Sequence, residues 1–152
     1  MKRMLPILLI VFATCLASCR NDIVYSQFSS IPSGEWHVDS VAQFEYSIVD
    51  PESDYRMLVY LRHTESYPYQ NMWLFVDNGL NIDTIEFYLA DDRGQWLGDK
   101  HHGFVEMPVL LEENYHFPDS GRYSITIQQG MRDTLLHGVT DIGLEIIRNG
   151  QK

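Results

Sequence analysis

The chain has 152 residues, 45% of them hydrophobic, with 21 acidic side chains against 11 lysines and arginines and a formal charge of −10. A single-sign acidic field of this kind excludes nucleic acid and anionic lipid surfaces as natural partners. Both cysteines, Cys15 and Cys19, lie near the front, so no disulfide framework organises the rest of the chain.

The first stretch reads as a targeting segment. Met1-Lys2-Arg3 places two positive charges ahead of an apolar run from Met4 to Leu16, and Ala17 and Ser18 bring small residues up to Cys19. The run carries Pro6 and is shorter than the ~20 residues that cross a bilayer core as a helix. Leu16-Ala17-Ser18-Cys19 resembles a bacterial lipobox. It implies acylation of the Cys19 sulfur and cleavage after Ser18; an ordinary secretory signal ahead of an unrelated cysteine is the alternative. Cleavage there leaves 134 residues with 9 basic against 21 acidic side chains, a charge near −12, and no free thiol. That length supports one hydrophobic core. Arg20 and Asn21 put no aspartate directly after the cysteine, which favours the outer membrane. The expected organisation is a cleaved signal peptide over 1–18, a lipidated cysteine and tether over 19–34 partly packed as an edge strand, and one β domain over 35–152.

Beyond the tether the signal is period two. Val24, Tyr25, Phe28 and Ile31 are too apolar for a free linker, and Pro32 and Gly34 end that piece. Trp36 is expected to pack at the start of the body. Ala42, Phe44, Tyr46 and Ile48 alternate with polar residues, and Asp50-Pro51-Glu52-Ser53 is a turn. Met57, Val59 and Leu61 share one face of the next strand; Leu58 and Tyr60 on the other suggest a central position. Tyr67 to Asn71 is a loop, Met72 to Val76 a strand, Asp77-Asn78-Gly79 a turn, and Thr84 to Ala90 a strand with Ile85, Phe87 and Leu89 inward. From Asp91 to Gly103 the pattern is irregular. One or two short strands come next around Phe104–Met107 and Val109–Leu111, then a turn at Phe117-Pro118. Tyr123, Ile125 and Ile127 mark a clean strand, Met131–His137 one helical turn closed by Gly138, and Ile142, Leu144 and Ile146 a last strand. Seven to nine short strands predict an all-β fold, an antiparallel β-sandwich of jelly-roll or Ig-like type, with a barrel as runner-up. Phe44, Phe87 and Ile125 are its expected inward anchors.

Reactive constellations are sparse. Ser47, Ser53, Ser66, Ser120 and Ser124 lie in strands or turns, none of them in a Gly-x-Ser-x-Gly elbow. Asp91, Asp92, Asp99 and the pair His101-His102 lack the spacing of a calcium loop or a zinc site, so a solvated acidic loop is the better reading. Glu86, Glu112 and Glu113 cannot be set across a cleft from their spacing. No catalytic residue, metal or cofactor is therefore expected beyond covalent lipid on Cys19. Arg62, Arg93 and Arg132 read as partners of loop carboxylates. Tyr67, Tyr69 and Trp73 cluster on one loop and strand, and Trp96 sits among glycines; such rings either plug an open end or bind sugars or proteins. With Asp91, Asp92, Arg93 and His102 they form the candidate partner or ligand surface.

Several segments stand out in order: Asp22-Ile23-Val24-Tyr25, Leu61-Arg62-His63-Thr64 with Tyr67-Pro68-Tyr69, and Asn71-Met72-Trp73-Leu74-Phe75. Sharper are Asp83-Thr84-Ile85-Glu86 and Leu89-Ala90-Asp91-Asp92-Arg93-Gly94-Gln95-Trp96-Leu97-Gly98, followed by Gly121-Arg122-Tyr123, Gln129-Gly130-Met131-Arg132 and Leu136-His137-Gly138-Val139. Together they resemble the gliding-motility lipoprotein GldH family of the Bacteroidetes. The segment Gly98-Asp99-Lys100-His101-His102 departs from the glycine-rich continuation such a chain would carry. The resemblance implies a non-catalytic lipoprotein of the cell envelope, needed for gliding and overlapping with type IX secretion. It also implies the membrane and other envelope or gliding proteins as partners. A surface carbohydrate-binding module using the loop aromatics is the alternative.

Overall fold

The computed structural model describes residues 22–150, so the signal segment and Cys19 lie outside the described residues. In chain order the strands are β1 (Asp22–Ser30), β2 (Glu35–His37), β3 (Val41–Ile48), β4 (Asp54–His63), β5 (Asn71–Asp77) and β6 (Ile82–Tyr88). They continue as β7 (Asp99–His101), β8 (Phe104–His116), β9 (Gly121–Gln129), β10 (Leu135–His137) and β11 (Val139–Arg148), with a 3-10 turn at Pro32–Gly34. Every strand pairing is antiparallel. Among the described residues they form a five-stranded sheet β1-β11-β4-β8-β7, a four-stranded sheet β3-β9-β5-β6 and a two-stranded ribbon β10-β2. No sheet closes on itself, so the barrel alternative falls.

Alternation decides which face is covered. β3 buries Ala42, Phe44, Tyr46 and Ile48 and exposes every residue between them. β4 and β11, inside the five-stranded sheet, bury Val59, Leu61, Ile142, Leu144 and Ile146 against Met72, Leu74, Ile125 and Ile127 of the other sheet in one core. Tyr25 of β1 meets Tyr46 of β3 at 5.6 Å and closes one side. Trp36, wholly buried, donates its indole N–H to the Ser40 carbonyl at 2.8 Å and lets β2 and β10 cover one end.

Three expectations need correction. Residues 104–116 make one strand of 13 residues, longer than the short pieces expected, although Pro108 sits inside it. Proline lacks a donor, but β7 pairs only with 104–106, so Pro108 lies on the free edge where no donor is required. Residues 131–137 form no helical turn. The buried Gln129 amide donates to the Asp133 carbonyl at 2.8 Å and accepts from the Met131 N–H at 2.8 Å, taking over the groups a helix would need. Leu136 then enters the core on β10. Phe87 is only half-buried, because β6 is an edge strand and has no neighbour on its outer side.

The domain has two unlike ends. At one, Asp22 aligns with Arg148, and Arg148 with Tyr55, which pairs with Tyr115. The turns at 49–53, 78–81 and 117–120 lie at this same end. The loops 64–70 and 89–98, the β7–β8 hairpin and residues 131–138 lie at the other.

Candidate functional site

The far end is where most of the candidate residues gather, and its loops are held by their own backbones. Gln70 presents its carbonyl to the N–H groups of Leu89 and Ala90 at 2.7 and 3.1 Å, fastening the 64–70 loop to the end of β6. Asp91 folds the next loop: one carboxylate oxygen accepts from the N–H groups of Arg93 and Gln95 at 2.9 and 2.8 Å. Its backbone N–H reaches the Gln95 carbonyl at 2.9 Å, and Gly94 takes φ +77° to complete the turn. Asp91 is thus spent on structure, while Asp92 and Arg93 at the tip are exposed. This is the self-capping use of aspartate that makes irregular segments ordered.

Trp96 turns back from that loop onto His63, at 4.6 Å between ring centres. His63 in turn meets Tyr67 at 5.5 Å, and Tyr67 meets Tyr69 edge-on at 6.0 Å. Tyr69 donates its hydroxyl to Asp133 at 2.6 Å. The result is a row of rings from Trp96 to Tyr69 that ends on a carboxylate. Tyr67 is buried and donates its hydroxyl to the Asn71 carbonyl at 2.9 Å, so it offers no surface. Burial pushes its phenol well above the ordinary tyrosine range. The hydrogen bond to Asp133 pushes the Tyr69 phenol up as well.

His63, which the sequence does not single out as a candidate, is the centre of the row. It is wholly buried; Nδ1 donates to the Thr64 carbonyl at 2.9 Å, and Nε2 has no partner. Burial lowers its pKa below the usual histidine value, against the opposing pull of the Thr64 carbonyl, so the ring is neutral near pH 7. The sequence carried a signal for it: His63 continues the inward series Met57, Val59, Leu61 by the same step of two.

The other candidates stand apart. Trp73 is exposed on the outer face of β5, two residues from the exposed Phe75, and its backbone N–H donates to the Met131 sulfur at 3.3 Å. His102 lies in the β7–β8 turn beside a depression of ≈ 500 Å³ that Glu65, Ser66 and Lys100 also line. Its neighbour His101 stacks on Phe104 at 4.9 Å. Among the described residues no three His, Cys, Asp or Glu side chains converge as a metal site. Arg62 finds its carboxylate on a neighbouring strand, not in a loop, bonding Glu106 at 2.6 Å.

Rings packed on the core and the Asp91 carboxylate spent on its own turn leave a short polar rim outward on an all-β domain. Comparison with known proteins gives it a family. Residues 23–146 match the model of the GldH lipoprotein family, and the chain belongs to that family. It is 31% identical over 159 aligned positions to a gliding motility lipoprotein GldH homolog of Christiangramia forsetii, covering 96% of this chain and 97% of that one. It is 29% identical over 151 positions to the gliding motility lipoprotein GldH of Flavobacterium johnsoniae, covering 91% and 93%. Among solved structures, dimeric latent PorU of Porphyromonas gingivalis overlays at a TM-score of 0.40 with 9% identity, over 88% of this chain and 14% of that one.

Proposed function

We propose that this chain is a non-catalytic accessory lipoprotein of a cell-envelope machinery linked to gliding motility and related to type IX secretion. It is held at the outer membrane by acyl chains on Cys19. In this reading residues 1–18 are the cleaved signal, 19–34 carry the lipid and an edge strand, and 35–152 are one antiparallel β-sandwich. The observation that carries it is the match to a gliding motility lipoprotein along more than nine-tenths of both chains. The exposed tip Asp92–Arg93 with the adjoining rim is the surface offered to other envelope proteins. Complementation of a deletion strain tests this. Asp92→Ala with Arg93→Ala should leave stability within about 1 kcal/mol, as ordinary surface changes do, yet impair the motility or secretion phenotype. Full activity at normal abundance would reduce the loop to scaffold. For the anchor, Cys19→Ser should lose all incorporation of a palmitate analogue; retained label would refute it.

A second reading has one observation in its favour. Trp73 and Phe75 project from the same outer face of β5, and Tyr88 stands exposed on neighbouring β6, a flat apolar strip of the kind that stacks on sugar rings. Glycan-array binding that disappears in Trp73→Ala would establish it, and binding unchanged in that variant would dispose of the strip.

A further inference from the structure

The most exposed large apolar side chains gather at the end where the described chain begins. Val49, 86% exposed, tips the β3–β4 turn; Leu80, 82% exposed, tips the β5–β6 turn. Ile82 at 67% opens β6 and Ile23 at 60% opens β1. Toward the other end Tyr88 is 61% exposed, and Leu97 and Val41 are about half exposed. The topology places the four at one end of the domain, Ile23 and Val49 beside β1 and β3, Leu80 and Ile82 at the β5–β6 edge. β3 runs through the 49–53 turn into Asp54, and Arg148 bonds Asp22 at 2.6 Å and lies 3.7 Å from Asp50, tying the start of β1 to that turn. Ile82 pairs with Asp77 on the same side as the Gly121 end of β9.

Between the two larger sheets, this end also opens a cleft of ≈ 650 Å³. Met57, Ile85, Leu111, Tyr115 and Phe117 wall it, and Leu80 lies at its rim. The cleft is of mixed character, with Asp83, Glu112 and Arg122 also in its wall, and aliphatic tips standing around its end give that end more exposed apolar surface than single scattered residues do. Covalent geometry limits what covers it. Two residues, Arg20 and Asn21, separate Asp22 from Cys19, so three peptide steps span at most about 10 Å of extended chain. A lipid on Cys19 therefore holds this end close to the bilayer. Charge decides the lipid: Asp50, Glu52, Asp54 and Asp83 surround the tips against Arg122 and Arg148, and anionic headgroups would be repelled.

We propose that this end is a bilayer-docking face, in which Val49, Leu80 and Ile82 seat in the interface of a zwitterionic membrane and cover the mouth of the cleft. The inference rests on the lipid anchor at Cys19 given under the proposed function. It turns a tethered domain into an oriented one, with the aromatic row and the Asp92–Arg93 tip facing away from the lipid.

Removal of Cys15 with the signal and acylation of Cys19 leave the mature chain without a free thiol, so an introduced cysteine is labelled uniquely. The lipidated full-length products of Val49→Cys, Leu80→Cys and Asp92→Cys are labelled with an environment-sensitive fluorophore. They are then reconstituted in phosphatidylcholine vesicles with brominated acyl chains, after intact mass has verified the lipid. Labels at 49 and 80 should shift to the blue and lose emission at least about twofold, as expected for groups ~5–10 Å into the headgroup and acyl boundary. The label at 92 should do neither. Vesicle-bound, lipid-bearing protein whose labels at 49 and 80 behave like that at 92 overturns the docking face and leaves the anchor standing. A blue shift at 80 without bromine quenching assigns the face to protein, a second copy included, and likewise overturns it. A mass without lipid overturns the anchor and the docking face together.

Discussion

Replacing His63 by leucine tests the buried row through a property that packing alone does not produce. The imidazole is wholly enclosed, one nitrogen donating to Thr64 and the other bare. Its folded pKa lies below the ordinary 6.5 because burial penalises the cation. The unfolded chain therefore takes up the proton first. Stability from this group is complete above about pH 6.5 and is lost as pH falls towards the folded pKa. One proton bound only by the unfolded state costs about 1.4 kcal/mol in going from pH 7.5 to 5.5. At pH 7.5, His63→Leu removes a hydrogen bond of about 1 kcal/mol but also an unsatisfied lone pair of ~1–3 kcal/mol, so the variant should range from equal to the parent to about 2 kcal/mol more stable. At pH 5.5 it should gain on the parent by up to about 1.4 kcal/mol. Urea denaturation of residues 20–152 at both pH values, followed by tryptophan fluorescence, measures the difference. All other titrating groups are common to both proteins and cancel. Curves of stability against pH that stay parallel within about 0.3 kcal/mol would refute the reasoning.

Gly138→Ala should be among the costly single changes. At φ +89° its new Cβ would sit 2.7 Å from the Tyr67 Cα and 2.8 Å from the Tyr67 nitrogen. Left-handed backbone and overpacking together cost about 2–4 kcal/mol, and a loss under about 1 kcal/mol in urea would mean the 64–70 loop yields. Phe44→Ala should cost about 3–5 kcal/mol and Phe87→Ala about half that, because edge strand β6 leaves Phe87 half exposed; equal losses would contradict that placement. The Arg62 guanidinium lies 3.7 Å from the Phe28 ring centre. A double-mutant cycle of Arg62→Met with Phe28→Leu should give a coupling of about 0.5–2 kcal/mol. A value near zero would leave Phe28 the packing roles of covering Gly143 and meeting Tyr60 at 5.9 Å.

Much of this architecture is legible in the order of residues alone. Alternation is a local property of the chain, so the inward faces of 42–48 and 123–127 follow from side-chain order, and the charged, apolar and small-residue sequence before Cys19 is equally local. The aromatic residues Tyr67, Tyr69 and Trp96 stand out by type. Their fates do not, because each depends on where a distant segment returns. Trp96 packs on His63 only because the 89–98 loop folds back across the end of β4, and that path is set by Gln70 and Asp91 hydrogen bonds no periodicity encodes. Pro108 breaks a strand on paper but is harmless where β7 stops short of it. Gln129 looks like a solvated residue ending a strand, yet it is buried because Asp133 and Met131 meet both halves of its amide. Val49 and Leu80, separate turn residues in the sequence, share one face because β3–β4 and β5–β6 turn at the same end of the domain. Side-chain periodicity travels along a strand; which strands lie side by side, and which turns share an end, depends on contacts between residues far apart in the chain, and those exist only once the sheets have closed on their core.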